Sequence, residues 1–241
     1  MKHRSGCLIC GAEIIYKTTC KEYSCEFCEL TYQSNALCNE GHYICDDCHA
    51  EDAGSLIKKT CLKSQAIDPA GLALKIMKHP SISMHGPEHH FLVPAVLLTA
   101  YANKTGKTDF LTNWIRTAEF RAANVLGGFC GFYGACGAGI GTGIFMSIIS
   151  EATPLSKEEW ANANLLTSKS LNRIAGSGGP GCCKRDSLIA IGVAIEFLKN
   201  EMNIDLSGPG SKSCVFSGQN KHCLLSDCEF FQNNKLEKHE N

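Results

Sequence analysis

Four closely spaced pairs of metal-binding side chains occupy the first fifty residues, and they restrict the possible folds more than any other feature of the chain. Three pairs have the C-x2-C spacing and one has the C-x3-H spacing; the members are Cys7 and Cys10, Cys25 and Cys28, Cys38 and His42, and Cys45 and Cys48. A C-x2-C turn lets two thiolates reach one ion at about 2.3 Å, the Zn–S distance of structural zinc sites. Eight ligands complete two tetrahedral sites, so we expect this segment to bind two zinc ions.

The order of the pairs suggests how they combine. Fourteen residues separate Cys10 from Cys25, enough for a β-hairpin with one pair at each end, and residues 12–16 read as its first strand. The first two pairs would then form one site of four cysteines, and the last two a separate site of three cysteines and one histidine. In the alternative, a cross-braced arrangement, the pairs interleave. Cys20 and His49 are spare ligands near these sites.

Neither apolar packing nor disulfide formation accounts well for these cysteines. Thiols packed as small apolar groups do not suit a segment with so many charged neighbours, among them Lys21, Glu22, Asp46 and Asp47. Disulfides need an oxidising compartment, and the start Met1-Lys2-His3-Arg4 leads into no apolar signal sequence. The 16 cysteines among 241 residues therefore favour metal binding in a reducing cytoplasm.

The overall charge gives no support to nucleic-acid binding. The chain has 23 basic and 24 acidic residues and a formal net charge of -1, so no global field would hold a polyanion. The basic residues near the metal segment are interspersed with acidic ones; they are Lys17, Lys21, Lys58 and Lys59. We expect a partner protein or a redox partner rather than nucleic acid, and the oligomeric state is left open.

The stretch from Ala122 to Ser150 has no charged residue and is long enough to span a bilayer. Eight glycines and two cysteines make it only weakly apolar. We therefore expect a buried segment of a domain that does not enter a membrane.

Beyond the metal segment the apolar spacing is helical, and alternating strand patterns are almost absent. Helix start, stop and periodicity signals predict six helices: residues 56–62, Asp68-Pro69 to Pro80, Pro87 to Gly106, Thr108 or Asp109 to Leu126, 160–174 and 188–198. A capping box at Ser156–Glu159 precedes the fifth of them. Glycine-rich turns are expected at 127–143 and 176–181. The predicted fold class is mainly α: a zinc-binding hairpin or ribbon module in 1–52, an all-α domain with Gly/Cys-rich loops in 53–205, and a cysteine-containing tail in 206–241.

Two glycine-rich segments of the helical domain also contain cysteines. Glycine lets backbone N–H groups approach sulfur, as around iron–sulfur clusters. The candidate cluster ligands and reactive thiols are therefore Cys130, Cys136, Cys182 and Cys183. Because adjacent cysteines seldom bind one cluster together, three ligands with an open iron fit equally well. Close packing of small residues between helices, or a thiol pair that cycles to a disulfide, are the alternatives.

The segment Gly176–Gly181 matches G-x-G-x-x-G, but a helical pattern rather than a strand precedes it, which argues against a dinucleotide site. The N–H groups that start the next helix, beside Lys184 and Arg185, could hold an anion. An ordinary helix start with solvated charges is the alternative.

Three histidines and a carboxylate fall within six residues, as His85, Glu88, His89 and His90. His89 or His90 could be a metal ligand or a general acid or base that Glu88 orients. A structural role for each histidine is the alternative.

The tail contains three further cysteines in a C-x8-C-x4-C pattern, Cys214, Cys223 and Cys228. They need a fourth ligand, such as His222 or a cysteine of the helical domain, to form a third metal site. They could instead shield a cofactor of the helical domain or pin the tail.

Four motifs together carry a resemblance to a known family: CNEGHYICDDCH, MHGPEHHFLVPA, CGFYGACGAGIG and GGPGCCKR. Over most of residues 7–200 the chain resembles an uncharacterised cysteine-rich family of anaerobic bacteria and archaea, a domain of unknown function. This family looks like one that accompanies genes of methyltransferases or radical enzymes, and the resemblance therefore implies anaerobic redox or sulfur chemistry. A looser likeness links CGFYGACGAGIG to redox proteins with Gly-Cys-Ala at the second cysteine, where this chain has Ala-Cys-Gly.

These observations favour a metal-dependent redox or sulfur-handling protein, an iron–sulfur or dithiol-dependent oxidoreductase or sulfur transferase. Its reactive groups would be the four cysteines of the glycine-rich loops, with Glu88, His89 and His90 managing protons and zinc ordering the N-terminus. The alternative is a non-catalytic zinc-ribbon adaptor that binds a partner protein or, less readily, nucleic acid.

Overall fold

The computed structural model describes residues 7, 9–10, 12–208 and 213–232, without the side chains of residues 49 and 50. An antiparallel hairpin of β1 (Ile14–Ser24) and β2 (Thr31–Cys38) comes first. Nine α-helices follow in the described part of the chain: α1 (Asp46–Ala50), α2 (Ala53–Lys63), α3 (Pro69–Met77), α4 (Glu88–Thr105), α5 (Thr108–Ala122), α6 (Phe129–Phe132), α7 (Gly137–Ile149), α8 (Glu158–Gly176) and α9 (Cys183–Met202). The expected fold class, mainly α with a small N-terminal hairpin, is confirmed.

Helix α4 is the centre of the helical domain. All of its residues from His89 to Ala102 are buried, and it contacts α2, α3, α5, α7 and α9. The C-terminal end of α4 lies where the sequence predicted it, because Gly106 adopts the left-handed conformation with φ 72° that ends a helix. Its nearly continuous apolar sequence reflects this burial on every side.

Three local signals had different outcomes. Asp68 caps α3 by accepting a hydrogen bond from the N–H of Ala70, with Pro69 at the first position, as predicted. The predicted capping box before α8 is wrong, because the hydroxyl of Ser156 bonds to Thr153 instead of to the helix. Helix α9 begins at Cys183, beside Lys184 and Arg185 as expected, although its apolar periodicity marks it only from Leu188.

The predicted glycine-rich turn over residues 127–143 is wrong in its second half, which belongs to α7. A side chain added at Gly141 would lie 2.9 Å from Pro94 of α4, and one at Gly139 would lie 2.6 Å from Leu171 of α8. Residues four apart share a helix face, so Gly137 joins Gly141 against α4 while Gly143 joins Gly139 against α8. The glycines therefore allow α7 to pack closely between two helices.

The described part of the tail, residues 213–232, folds back on the helical domain. Phe216 is buried, and Arg173 of α8 forms an ion pair with Glu229 at 2.8 Å. Residues 209–212 and 233–241 of the predicted tail lie outside the described residues. The predicted boundaries after residues 52 and 205 stay predictions.

No helix in the described ranges is both long and apolar enough to cross a bilayer. The uncharged stretch that suggested such a span is divided between the end of α5, α6 and α7.

Candidate metal centres and a histidine–cysteine cavity

The four N-terminal pairs form two groups that could each hold a metal ion. The ligand atoms within each group lie within 4.8 Å of one another; the first group is Cys7, Cys10, Cys38 and His42, and the second, which we call the four-cysteine group, is Cys25, Cys28, Cys45 and Cys48. The pairs therefore interleave. The sequential pairing expected first is wrong, and the cross-braced alternative is correct.

The register of the hairpin explains this pairing. Ile14 lies opposite Cys38, so the end of β2 returns to the segment that follows Cys10, whereas Cys25 follows β1 at the other end. The chain then runs back, and the carbonyl of Tyr43 accepts a hydrogen bond from the N–H of Glu26 at 2.9 Å. This return places Cys45 and Cys48 beside the hairpin turn.

Distances in both groups suit tetrahedral ligation. Two thiolates that bind one zinc ion at about 2.3 Å lie about 3.8 Å apart. Cys28 Sγ and Cys45 Sγ are separated by 3.8 Å, and Cys10 Sγ and Cys38 Sγ by 3.5 Å. In the first group His42 supplies Nδ1, which lies 3.9 Å from Cys7 Sγ. Cysteine and histidine are the ligands that zinc prefers, so the residues fit a zinc ion at each position.

Backbone N–H groups favour the thiolate form of one cysteine in each group. Burial raises the pKa of Cys25, but N–H groups of Cys28, Cys45 and Phe27 outweigh it and lower the pKa to about 7. Burial is likewise outweighed at Cys38, where hydrogen bonds lower the pKa to about 7. A thiol that loses its proton near neutral pH binds a metal ion more readily.

The four-cysteine group is joined to the helical domain by His79, a residue that belongs to no metal-binding or catalytic sequence pattern. Ser81 N–H donates to His79 Nδ1 at 3.1 Å, so Nε2 carries the ring proton and donates to the carbonyl of Cys48 at 2.7 Å. The ring of Phe27 packs edge-on against His79 with centroids 4.5 Å apart. His79 thus fixes the backbone of a candidate metal ligand.

The two spare ligands do not join the groups that the structure describes. Cys20 is exposed on β1 and belongs to neither group. The side chain of His49 lies outside the described residues.

A cavity of about 360 Å³, which we call the histidine–cysteine cavity, opens where the N-terminal ends of α4, α7 and α9 meet. Its chemically active lining consists of three thiols, three imidazoles and one carboxylate: Cys130, Cys136, Cys183, His85, His89, His90 and Asp186. The positive ends of three helix dipoles face this region, which favours negative charge in it.

Two histidines of this cavity have similar hydrogen bonds. His89 Nδ1 lies 3.1 Å from the carbonyl of Gly86, and His90 Nδ1 lies 2.8 Å from that of Val125. A carbonyl only accepts, so in each neutral ring Nδ1 carries the proton and Nε2 has a lone pair. Burial, reinforced by the nearby charge of Lys184, lowers the pKa of His89 to about 3. Its Nε2 is buried and has no hydrogen-bond partner among the described residues.

Two thiols of the cavity are held at helix starts. Cys136 is the N-cap of α7, and Cys183 is the first residue of α9. Burial raises the pKa of each to about 11, and the carboxylate of Asp186 adds to this effect. Cys136 Sγ lies 4.0 Å from Asp186 Oδ2. These thiols are protonated at neutral pH unless a metal ion or a base removes the proton. Cys130, on α6, is exposed.

Glu88 does not orient His89 in the way that the sequence suggested. Glu88 Oε1 accepts a hydrogen bond from Ser83 N–H at 2.7 Å and lies 4.0 Å from His89 Nδ1. The carbonyl of Gly86 is nearer to that nitrogen and fixes the ring. Glu88 therefore holds the loop before α4 in place.

The four predicted ligands of the helical domain do not meet in one place. Cys130, Cys136 and Cys183 line the histidine–cysteine cavity, whereas Cys182 lines a second cavity. The second cavity also contains the three tail cysteines, Cys214, Cys223 and Cys228.

The charges at the start of α9 are neither solvated nor free for an anion. Lys184 is buried, and its ammonium donates to the carbonyls of Met77 and Ile82 at 2.8 and 3.2 Å. Arg185 bonds to Asp186 at 2.9 Å and to carbonyls of the preceding glycine-rich turn. The expectation of solvated charges is wrong, because backbone carbonyls of neighbouring segments bind both side chains. Binding of an anion by the N–H groups that start α9 stays a prediction.

The comparisons with known proteins concern the helical domain and the tail. Residues 57–231 match DUF5714, a family of unknown function. The chain belongs to this family. The DUF5714 match includes both cavities and the tail cysteines but not the N-terminal metal groups. No curated protein and no solved structure matches the chain significantly.

Proposed function

We propose that the chain is a metal-dependent redox or sulfur-handling protein of anaerobic metabolism, with its reactive centre in the histidine–cysteine cavity. One observation carries the proposal: three thiols and three imidazoles line a single cavity of about 360 Å³. This volume lies within the usual range for small-molecule sites. Thiols with proton acceptors beside them suit redox and sulfur chemistry.

An iron–sulfur cluster is the cofactor that this thiol set suits best. Three thiolates, from Cys130, Cys136 and Cys183, would leave one iron of a four-iron cluster open to a substrate. The helix ends around the cavity favour the negative charge of such a cluster. This is the three-ligand version of the site that the sequence predicted.

Sulfur transfer is the reaction that needs no further oxidant. Where the three thiols hold no cluster, the thiolate of Cys130, the exposed thiol, would attack the outer sulfur of a donor persulfide. The S–S bond of the donor breaks, the donor leaves as a thiolate and takes up a proton, and the outer sulfur stays on the cysteine as a persulfide. His90 would accept the proton of the attacking thiol through Nε2 and return it to the leaving donor.

We assign zinc to the two N-terminal groups, where it would order the module and help it dock a partner protein or a redox partner. Cysteines without disulfides throughout the described residues suit a reducing cytoplasm.

The proposal is tested by metal analysis of anaerobically purified protein. We expect two zinc ions together with iron and acid-labile sulfide, and we expect Cys136→Ser and Cys183→Ser to lower iron and sulfide. Cys20→Ser is the matched control, because Cys20 is exposed and belongs to neither metal group. Unchanged metal content in both cavity variants, together with no sulfur uptake from cysteine persulfide, would contradict the proposal.

The hairpin surface favours a second candidate, a non-catalytic adaptor that binds a partner protein. Tyr16 is 76% exposed and Ile15 is 40% exposed on β1. If the chain is an adaptor, Tyr16→Ser would abolish its effect in cells and Cys136→Ser would not. The opposite result supports the reactive cavity.

A further inference from the structure

We propose a third metal centre, a four-thiolate site between the start of α9 and the tail. Its ligands are Cys182, Cys214, Cys223 and Cys228, which line one cavity. The centre lies on the other side of the Cys182–Cys183 peptide from the histidine–cysteine cavity, and it does not depend on the function proposed there.

The fold of the tail gathers its three cysteines. Cys214 and Phe231 form an isolated parallel bridge, and the N–H of Phe231 donates to the carbonyl of Cys228 at 2.9 Å. Two short 3-10 turns shape the loop that the bridge closes. The loop carries Cys223 and Cys228 to the same side of α9 as Cys182.

Two tail cysteines have the backbone geometry of a candidate metal ligand in the N-terminal module. The N–H two residues after Cys214 donates to its Sγ at 3.3 Å, and the N–H two residues after Cys223 does so at 3.4 Å. Cys38 accepts the same bond at 3.3 Å within a group that could hold an ion. Such N–H···S bonds stabilise thiolates and tune the potentials of clusters.

The surroundings of these thiols offset the charge of a thiolate centre. Cys182 is the N-cap of the twenty-residue helix α9, where the helix dipole favours a negative group. The buried ammonium of Lys184 also lines the cavity and lies 4.3 Å from the centre of the Phe216 ring. The rest of the lining is mainly apolar, with Met84, Leu188, Phe216, Leu224 and Phe230. A low-dielectric site strengthens the attraction between this cation and thiolates.

Four thiolates suit either an iron–sulfur cluster or a single metal ion, and each would require the site to rearrange. Among the described residues, three-ligand groups with atoms within 4.8 Å of one another occur in the N-terminal module and not around this cavity. In a four-iron cluster each thiolate binds a different iron, so the sulfurs lie farther apart than around one ion. The void between the side chains is about 20 Å³, so the tail loop would have to move outward to admit a cluster. A single ion would instead require the thiols to move inward.

The test compares metal and sulfide content in the full chain and in Cys214→Ser/Cys223→Ser, purified anaerobically. Loss of iron together with sulfide establishes a cluster, and loss of one zinc ion establishes a single ion; both support the four-thiolate centre. The N-terminal zinc ions should remain and show that the variant is folded. An unchanged metal content in a folded double variant overturns the proposal.

Two controls separate this centre from the others. Cys20→Ser should change nothing, and Cys136→Ser should leave the metal of the four-thiolate centre in place even if the proposed function fails.

A second measurement uses the wild-type chain in case the double variant does not fold. The three tail cysteines should resist alkylation until a chelator removes the metal; rapid alkylation of the untreated protein, or a disulfide among them, would overturn the centre.

Discussion

Cys182 and Cys183 are consecutive in the chain, yet their side chains line different cavities. Cys182 has the extended conformation of an N-cap, whereas Cys183 is the first helical residue, so their side chains leave the backbone in different directions. Their Cα atoms are about 3.8 Å apart. The proposed reactive cavity and the proposed four-thiolate centre therefore share one peptide, which is a short path for electrons between them.

The cross-braced pairing predicts how double variants lose metal. Cys7→Ser with Cys38→Ser removes two ligands from one group and should cost one ion per chain. Cys7→Ser with Cys25→Ser damages both groups and should cost two. The measurement is the number of zinc ions per chain in each purified variant. A sequential pairing would instead cost the first variant two ions and the second variant one.

The close packing of α7 predicts opposite effects for two Gly→Ala changes. A methyl group at Gly137 would overlap the imidazole of His90, so Gly137→Ala should lower the free energy of unfolding by about 1–3 kcal/mol. Gly192 lies within α9 with no atom near the added methyl, and Gly192→Ala should raise stability by about 0.5–1 kcal/mol. Urea unfolding of both variants measures the difference, and equal effects would show that His90 does not pack on Gly137.

His79 is predicted to couple the four-cysteine group to the helical domain. His79→Ala removes the bond to the carbonyl of Cys48 and the contact with Phe27, and should cost about 1–3 kcal/mol in the free energy of unfolding. It should also speed the release of one zinc ion to a chelator. The exposed His85 provides the control, and His85→Ala should change neither quantity. Equal rates of zinc release in the two variants would contradict the coupling.

Burial predicts which lone thiol is inert. Cys61 of α2 is fully buried, and desolvation raises its pKa to about 12, whereas Cys20 is exposed on β1. In native protein near neutral pH, iodoacetamide should modify Cys20 and leave Cys61 untouched. Peptide mass mapping after timed labelling reads both sites, and unfolding should make Cys61 reactive. Early modification of Cys61 would mean that α2 does not pack on α4 as described.

The sequence predicted features that depend on local spacing. The eight ligands of the N-terminal groups follow from the C-x2-C and C-x3-H patterns, and the start of α3 follows from Asp68-Pro69. Their combination into two groups could not be predicted, because it depends on the register of β1 and β2 and on the return of the chain at Tyr43. Register is a property of the folded hairpin and is not contained in ligand spacing.

Other features could not be predicted from the sequence, because residues that are distant in the chain determine them. Glycines usually indicate turns, but in α7 they remove side chains where α4 and α8 approach. Lysine is rarely buried, yet Lys184 is buried because the carbonyls of Met77, at the end of α3, and of Ile82 bind it. The separation of Cys182 from Cys183 depends on where the tail folds, which no local pattern reveals.

The interleaved pairing also has a consequence for how the chain is made and cut. The segment that ends at Cys28 contains half of each site and neither whole. A nascent chain therefore has no complete site until His42 has been added, and Cys48 completes the second one six residues later. For the same reason, a single proteolytic cut between Cys28 and Cys38 divides both sites at once.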